Sequence, residues 1–405
     1  MSGSKAFDYV IVGGGLQGCL LVHALAHHQP KARVLLVERG ETLCGNHTWC
    51  FHESDVDPAA RRWVGELARH RWAGYWVQFP SLLKRIDLPY LCIPSEALRE
   101  ATHEIASEDS DYLIKVRTGV GCRIESATRV TLGGEAIDAQ LVVDCRGLPR
   151  SATPTAGCGF QTFRGVEFEL AADWPATEPT VMDALADQTE GFEFLYELPL
   201  RPRRVLLEYT RFSDDSTCDP ARAEAAINQR LASSGVETLR RVRTEAGCLP
   251  MPYTKEAASG ATDRVALAGG YAGGWFHAAT GYSVPLAVRF ADAVAKVEPA
   301  SAAAAIESLA RSERFQRGFS RFLNRLLFRL VSPGHRWKIF RRFYHVLPSE
   351  RIARFYAHRF NWADALRIVV GRPPTGLTPR RFASSLLNAR PHHATAPSAS
   401  GAASP

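Results

Sequence analysis

The chain has 405 residues, 46% hydrophobic and 22% charged, which reads as an ordinary globular protein of two interpenetrating domains. Its formal net charge of +7 favours an anionic partner, whether nucleic acid, acidic substrate or anionic lipid. Nine scattered cysteines without a Cys-x-x-Cys pair argue against a zinc or other metal site and a disulfide framework, and for a reducing cytoplasm.

In chain order, Phe7 to Val12 predicts a short buried strand, Gly13 to Gly18 a turn, Cys19 to His27 a helix, and Arg33 to Glu38 a second strand ending in an acid. This is a βαβ pattern, and the N-terminus does not read as a signal peptide. Asp55 to His70 predicts a helix and Tyr75 to Leu82 a strand. Leu113 to Val116 and Arg129 to Leu132 predict short antiparallel strands, and Leu141 to Cys145 a buried one. Alternating strands follow at Phe163 to Leu170, Phe192 to Leu198 and Arg204 to Phe212, the last two joined by a hairpin through Pro199 to Pro202. Asp219 to Ser233 predicts an amphipathic helix and Arg264 to Ala268 a strand returning to the first domain. The region after Ala303 is helical, basic and aromatic, and the tail from about Asn388 has a disordered composition. No apolar stretch reaches the roughly 18–20 residues of a spanning helix; Val265 to Val288 comes nearest, but holds glycine pairs, His277 and Pro285.

Gly13-Gly14-Gly15-Leu16-Gln17-Gly18 fits G-x-G-x-x-G between a strand and a helix, and Glu38 closes the second strand. Glycines let a pyrophosphate approach the backbone and the helix N-terminus. Glu38 suits the adenosine ribose hydroxyls and would repel a 2′-phosphate. A second signal favours FAD: the late strand runs into Gly269-Gly270, with Gly273-Gly274 beyond. Gly270 stands where many flavoproteins place an Asp, and backbone N–H groups there can face a flavin.

An ordered set of segments resembles the bacterial-type lycopene beta-cyclases. It comprises Gly45-Asn46-His47-Thr48-Trp49 with Phe51-His52, Met182-Asp183 with Gln188, and Phe194-Leu195-Tyr196 with Leu198-Pro199-Leu200. Phe276-His277 with Thr280-Gly281-Tyr282-Ser283, Leu323 to Phe328, Arg342-Phe343-Tyr344, Ile352 to Tyr356, and Val370-Gly371 with Pro373-Pro374 complete it. The resemblance implies an α/β fold: a Rossmann-type FAD-binding domain with an antiparallel-sheet substrate domain and a helical C-terminal region. The expected division is 1–160 and 261–300 for FAD, 161–260 for substrate, 301–387 for a basic helical region and 388–405 for the tail. It further implies non-redox cyclisation of the ends of lycopene to beta-carotene through gamma-carotene, with reduced FAD and NAD(P)H as electron donor.

Such a reaction needs a carboxylic acid kept protonated by burial. Glu208 is the candidate: Leu206, Glu208, Thr210 and Phe212 share one strand face. Glu208 and Thr210 match the family pattern Leu-Ile-Glu-Asp-Thr-His-Tyr, whereas Tyr209, Arg211 and Phe212 depart from it. Phe212, Phe276 and His277 are candidate substrate-lining residues; Asp183 and Glu197 are weaker candidate acids. Arg317, Arg321, Arg325 and Arg329 recur every four residues beside Phe315, Phe319 and Phe322, which suits an anionic membrane surface or a solvated helical cap, with nucleic acid ranked low. The expected location is the cytoplasm, peripheral on the inner membrane. The rival readings are a flavin-dependent monooxygenase or dehydrogenase acting on a hydrophobic isoprenoid, and a non-catalytic flavin- or polyene-binding protein.

Overall fold

Strand Phe7–Val12, helix Leu16–His28 and strand Val34–Val37 form the βαβ unit that the glycines and apolar runs dictate. The structure is a computed structural model that describes residues 7–147, 156–255, 257 and 265–371. Arg264, Pro373-Pro374 and the 388–405 tail lie outside the described residues. Val34–Val37 is buried along its whole length, as a strand covered on both faces must be. The parallel sheet runs in the order Ile114–Arg117, Val34–Val37, Phe7–Val12, Glu135–Asp144, with Leu267–Ala268 beside the last. The strand order reverses at Phe7–Val12, so the carboxyl end of that strand is the crevice where such sheets take ligands.

Two expectations are corrected. Ile114–Arg117 is parallel to Val34–Val37 rather than antiparallel, because helix Ser95–Ile105 carries the chain back to the strand's starting edge. The helix expected from Asp55 to His70 is shorter: Pro58–Val64 is α-helical, with single 3-10 turns at Glu53–Asp55 and Gly65–Leu67. Pro58 fixes its first turn.

The second sheet runs in the order Thr238–Pro252, Cys158–Leu170, Arg204–Ser213, Phe192–Arg201, Thr180–Asp183, Tyr75–Phe79, Leu82–Ile86. It is antiparallel except between Thr180–Asp183 and Tyr75–Phe79. The hairpin is tighter than expected, since Arg201 pairs with Arg204 and leaves Pro202-Arg203 as the turn. The alternation of Arg204–Ser213 divides its side chains cleanly. Val205, Leu207 and Tyr209 pack beneath Ala223 and Ile227 of helix Pro220–Ser234. Leu206 and Phe212 face the other way, into a cluster with Phe192, Phe194 and the C-terminal Tyr344. Asp219 caps helix Pro220–Ser234 through the Ala221 and Arg222 amides. Thr48–His52, Tyr90–Pro94 and His70–Trp72 form a small sheet whose strands flank Tyr75–Phe79 and Leu82–Ile86 in sequence. Helices Ala302–Ser312, Arg314–Arg325, Arg336–Val346, Ser349–Tyr356 and Trp362–Val369 complete the fold.

Candidate active site

The nucleotide end is built from glycines that close approach requires. Gly13 has φ +110°, and a Cβ there would lie 2.5 Å from the Cys145 carbonyl. A Cβ on Gly18 would lie 2.0 Å from the Gly13 oxygen, so this residue sets how closely the helix packs on the strand. Gly15 precedes helix Leu16–His28, which has no side-chain cap and no acid in its first turn, and a Cβ on Gly15 would meet nothing within 4 Å. Uncapped N–H groups facing open space fit a pyrophosphate. Glu38 stands at the mouth, accepting from the Gly14 amide (2.7 Å) and the Gly40 amide (2.8 Å), and each oxygen keeps a lone pair for a ribose hydroxyl.

The late glycines meet this turn. Strand Leu267–Ala268 lies parallel to Glu135–Asp144, and the Gly269 amide donates to the Asp144 carbonyl at 2.9 Å. Gly270 has φ +59° and ψ −153°, a conformation essentially reserved for glycine, which explains why no Asp stands there. The Gln17 amide side chain bridges the two glycine segments: Nε2 donates to the Ala287 carbonyl at 3.1 Å and Oε1 accepts from the Gly270 amide at 3.2 Å. A Cβ on Gly273 would lie 2.1 Å from the Ala268 oxygen. Leu16 packs on the core of the nucleotide half.

Glu208 retains some accessible surface, yet protein surrounds its carboxyl closely. Burial first, then the negative charge of Glu245, push it well above the usual carboxylate range; the Thr210 hydroxyl, donating at 2.8 Å, opposes the shift. Glu245, on strand Thr238–Pro252, was not anticipated. Gly165 pairs with Glu208 on one side and with Glu245 on the other, so the three residues form one row and the glycine leaves room for the two carboxyls to meet. Glu245 Oε2 accepts from Arg243 Nη1 at 2.7 Å and from Thr48 Oγ1 at 3.0 Å. Arg243 also donates to Glu167 (2.5 Å), Asn46 (3.0 Å) and Thr48 (2.6 Å). Asn46 and Thr48 follow Glu38 in the chain, so this cluster ties the segment after the parallel βαβ unit to the second sheet beside Glu208.

Tyrosines line the same face. Tyr196 lies opposite Glu208 on the neighbouring strand, and its hydroxyl meets that of Tyr90 at 2.8 Å. Burial lifts both phenols well above their ordinary range, so they stay neutral. Behind them His52 Nδ1 meets Asp55 at 3.1 Å, His52 Nε2 meets the Tyr75 hydroxyl at 3.1 Å, and the Tyr282 hydroxyl donates to Asp55 at 2.8 Å. The residues His52 and Tyr282 were visible only as pieces of the family segments, and Tyr75, Tyr90 and Asp55 carried no local signal.

The remaining candidates are spread out. Phe212 is buried among Phe192 (5.6 Å between ring centres) and Phe340 (5.2 Å). Phe276 stacks on Tyr271 at 4.3 Å. His277 is enclosed by Phe355, His358 and Phe360, and burial holds it well below its ordinary range, hence neutral. Glu197 is held on the opposite face by Trp174 (2.6 Å) and Arg230 (2.8 Å). Burial raises Asp183, whose carboxylate accepts from the Leu185 amide at 3.3 Å. Tyr209 and Arg211, which depart from the family pattern, point away from Glu208. Tyr209 lies under helix Pro220–Ser234 and Arg211 is near Glu193 and Glu190 at 3.8 Å.

Among solved structures the fold resembles the flavin-dependent brominase Bmp2 (14% identity, TM-score 0.58, covering 89% of this chain and 97% of that one). It also resembles a flavoprotein/dehydrogenase from Cytophaga hutchinsonii (12%, 0.58, 87% and 92%). Curated relatives named lycopene beta-cyclase are 36% identical in Pantoea ananas, over 371 residues, and 36% in Pseudescherichia vulneris, over 375 residues. Each alignment covers 91% of this chain and 95% of the relative. The family model described as lycopene cyclase protein matches residues 8–381. The chain therefore belongs to the lycopene cyclase family, on a Rossmann-type flavoprotein fold.

Proposed function

We propose that this chain is a lycopene beta-cyclase in which Glu208 is the general acid. The observation that carries the reading is an enclosed carboxyl, pushed well above the usual carboxylate range by burial and by Glu245, on a sheet face rich in tyrosine and joined to the glycine-rich parallel sheet through Asn46 and Thr48. The Glu208 O–H bond breaks and its proton bonds to a terminal alkene carbon of the linear carotene, leaving a tertiary cation. A nearby double bond attacks that cation and closes the six-membered ring. A ring C–H bond then breaks, its electrons form the ring double bond and its proton returns to the Glu208 carboxylate, so the product is an isomer of the substrate. The rings of Tyr196 and Tyr90 offer aromatic faces to the cation, and their neutral hydroxyls hold each other rather than trapping it. Gly13, Gly14, Gly15, Gly18, Glu38, Gly269, Gly270 and Gly273 would hold FAD. Reduced FAD, replenished by NAD(P)H, would supply negative charge beside the cation. Beta-carotene forms through gamma-carotene when each end is treated in turn.

The substrate is a bilayer hydrocarbon, and the C-terminal helices offer a surface for collecting it. Trp362 and Leu366, four residues apart on one helix, are 75% and 60% exposed, and Val370 just past its end is 55% exposed. Trp362 packs against Phe315 with ring centres 4.1 Å apart, and Phe319 links Phe315 to the exposed Phe322. Arg325, Arg329 and Arg367 are exposed nearby in sequence. Arg317, by contrast, folds over the Trp275 ring at 4.5 Å. An apolar patch rimmed by arginine suits the cytoplasmic face of an anionic inner membrane, and among the described residues no helix is long and apolar enough to cross it. Expression in a lycopene-accumulating bacterium tests the reading: cyclic carotenes should form with the wild type and none with Glu208→Gln. Ring formation by that variant would refute the acid.

A further inference from the structure

We infer that Glu245 is a positioning residue for the proposed acid: with Arg243, Thr48 and Gly165 it builds a carboxyl pair in which Glu245 carries the charge and Glu208 carries the proton. The inference rests on the reading of Glu208 as the acid and adds how its proton is kept.

Three features build the pair. The first is register: Gly165 lies between Glu208 and Glu245 in adjacent strands, and a Cβ there would sit 3.0 Å from Glu245 Cγ and 3.4 Å from Glu208 Cβ. Only glycine leaves the space free. The second is asymmetry of partners. Glu245 is buried and ion-paired to Arg243 at 2.7 Å, with the Thr48 hydroxyl on the same oxygen. Among the described residues Glu208 makes no ion pair; its partner is the Thr210 hydroxyl. The third is rigidity. Arg243 is fixed by Glu167, Asn46 and Thr48, so the positive charge stays on the Glu245 side.

Two carboxyls this close ionise in separate steps. The first negative charge is matched by Arg243, and a second would find no cation beside Glu208. The other groups around Glu208 do not offset it: Cys50 raises it further, and Tyr196 and Tyr90 stay neutral. When Glu208 hands its proton to the alkene, two carboxylates face the new cation. The proton lost from the ring restores the pair and the reloaded carboxyl exchanges with solvent before the next ring closes, so charge and protons balance over each turnover.

The sign of the pH effect follows. An acid that acts while protonated loses activity as pH rises through its ionisation, and removing the neighbouring charge makes that ionisation easier. The test compares pH profiles of the flavin-loaded wild type, Glu245→Gln, Glu245→Asp and Glu208→Gln, with infrared titration of the protonated-carboxyl band in the resting protein. Glu245→Gln should move the alkaline limb and the infrared titration to lower pH by about one unit or more, the size expected of coupled carboxyls. Glu245→Asp should stay near the wild type, and Glu208→Gln should lose both turnover and the band. A uniform rate loss in Glu245→Gln with an unmoved limb and band would reduce Glu245 to a structural role and overturn the inference. Turnover by Glu208→Gln would instead sink the acid assignment itself, whatever Glu245 does.

Discussion

Gly165→Ala probes the space between the two carboxyls with a single methyl group. The added Cβ would stand 3.0 Å from Glu245 Cγ and 3.4 Å from Glu208 Cβ, so Glu245 must yield by a few tenths of an ångström. The 3.4 Å approach to Glu208 is ordinary van der Waals contact, so the movement falls on Glu245, strains its tethers to Arg243 and Thr48, and displaces its carboxylate relative to Glu208. The overpacking costs about 1–3 kcal/mol, while replacing glycine in an extended strand recovers about 0.4–1 kcal/mol from the unfolded chain. The net loss is therefore at most about 2–3 kcal/mol, and the domain stays folded. Catalysis is more sensitive: a misplacement of about 1 Å can cost about 100-fold, so a shift of a few tenths predicts roughly a tenfold fall in ring formation. The assay is turnover of lycopene by the purified, flavin-loaded variant, with flavin content and melting temperature measured on the same sample. Full activity with an unchanged pH profile would refute the reasoning. Loss of activity in proportion to lost flavin would refute it equally, because it would put the damage at the nucleotide end.

Gly15→Val should leave the protein folded, since its side chain enters open space, yet yield colourless protein, because the proposed site gives that space to the pyrophosphate; a yellow variant with normal flavin content would exclude this nucleotide site. Trp362→Asp with Leu366→Asp should reduce sedimentation with anionic vesicles severalfold while preserving turnover of detergent-dispersed substrate, whereas undiminished sedimentation would show that the patch is not the docking face. Arg317→Gln, which removes a cation stacked on Trp275, should lower thermal stability by about 0.5–2 kcal/mol and leave vesicle binding unchanged; weakened vesicle binding with normal stability would reverse that assignment.

The nucleotide half was legible because its signals are local. Buried strands read as apolar runs, and turns that need φ above zero or close approach select glycine, as Gly13 and Gly18 show. The face carrying Glu208 was legible from strand alternation alone, and the same alternation correctly sent Tyr209 and Arg211 to the other side. Direction was not legible: Ile114–Arg117 is parallel to Val34–Val37 because of where the preceding helix returns the chain, which no residue of the strand records. Glu245 was invisible for a related reason. Its strand, Thr238–Pro252, is an edge strand rich in charge, without the apolar alternation that announces a strand, and its meeting with Glu208 depends on the register of two non-adjacent segments through Gly165. Arginines mislead likewise: Arg317 repeats with its exposed neighbours, but only packing reveals that it lies against Trp275.

In the proposed mechanism a neutral Glu208 gives its proton to a hydrocarbon end of the substrate. Cyclisation of lycopene by the flavin-loaded protein in deuterium oxide, followed by mass spectrometry, follows that proton directly. One non-exchangeable deuterium is expected for every ring formed by the wild type, and neither rings nor label with Glu208→Gln. Rings that form without deuterium, or labelled rings made by Glu208→Gln, would contradict this mechanism.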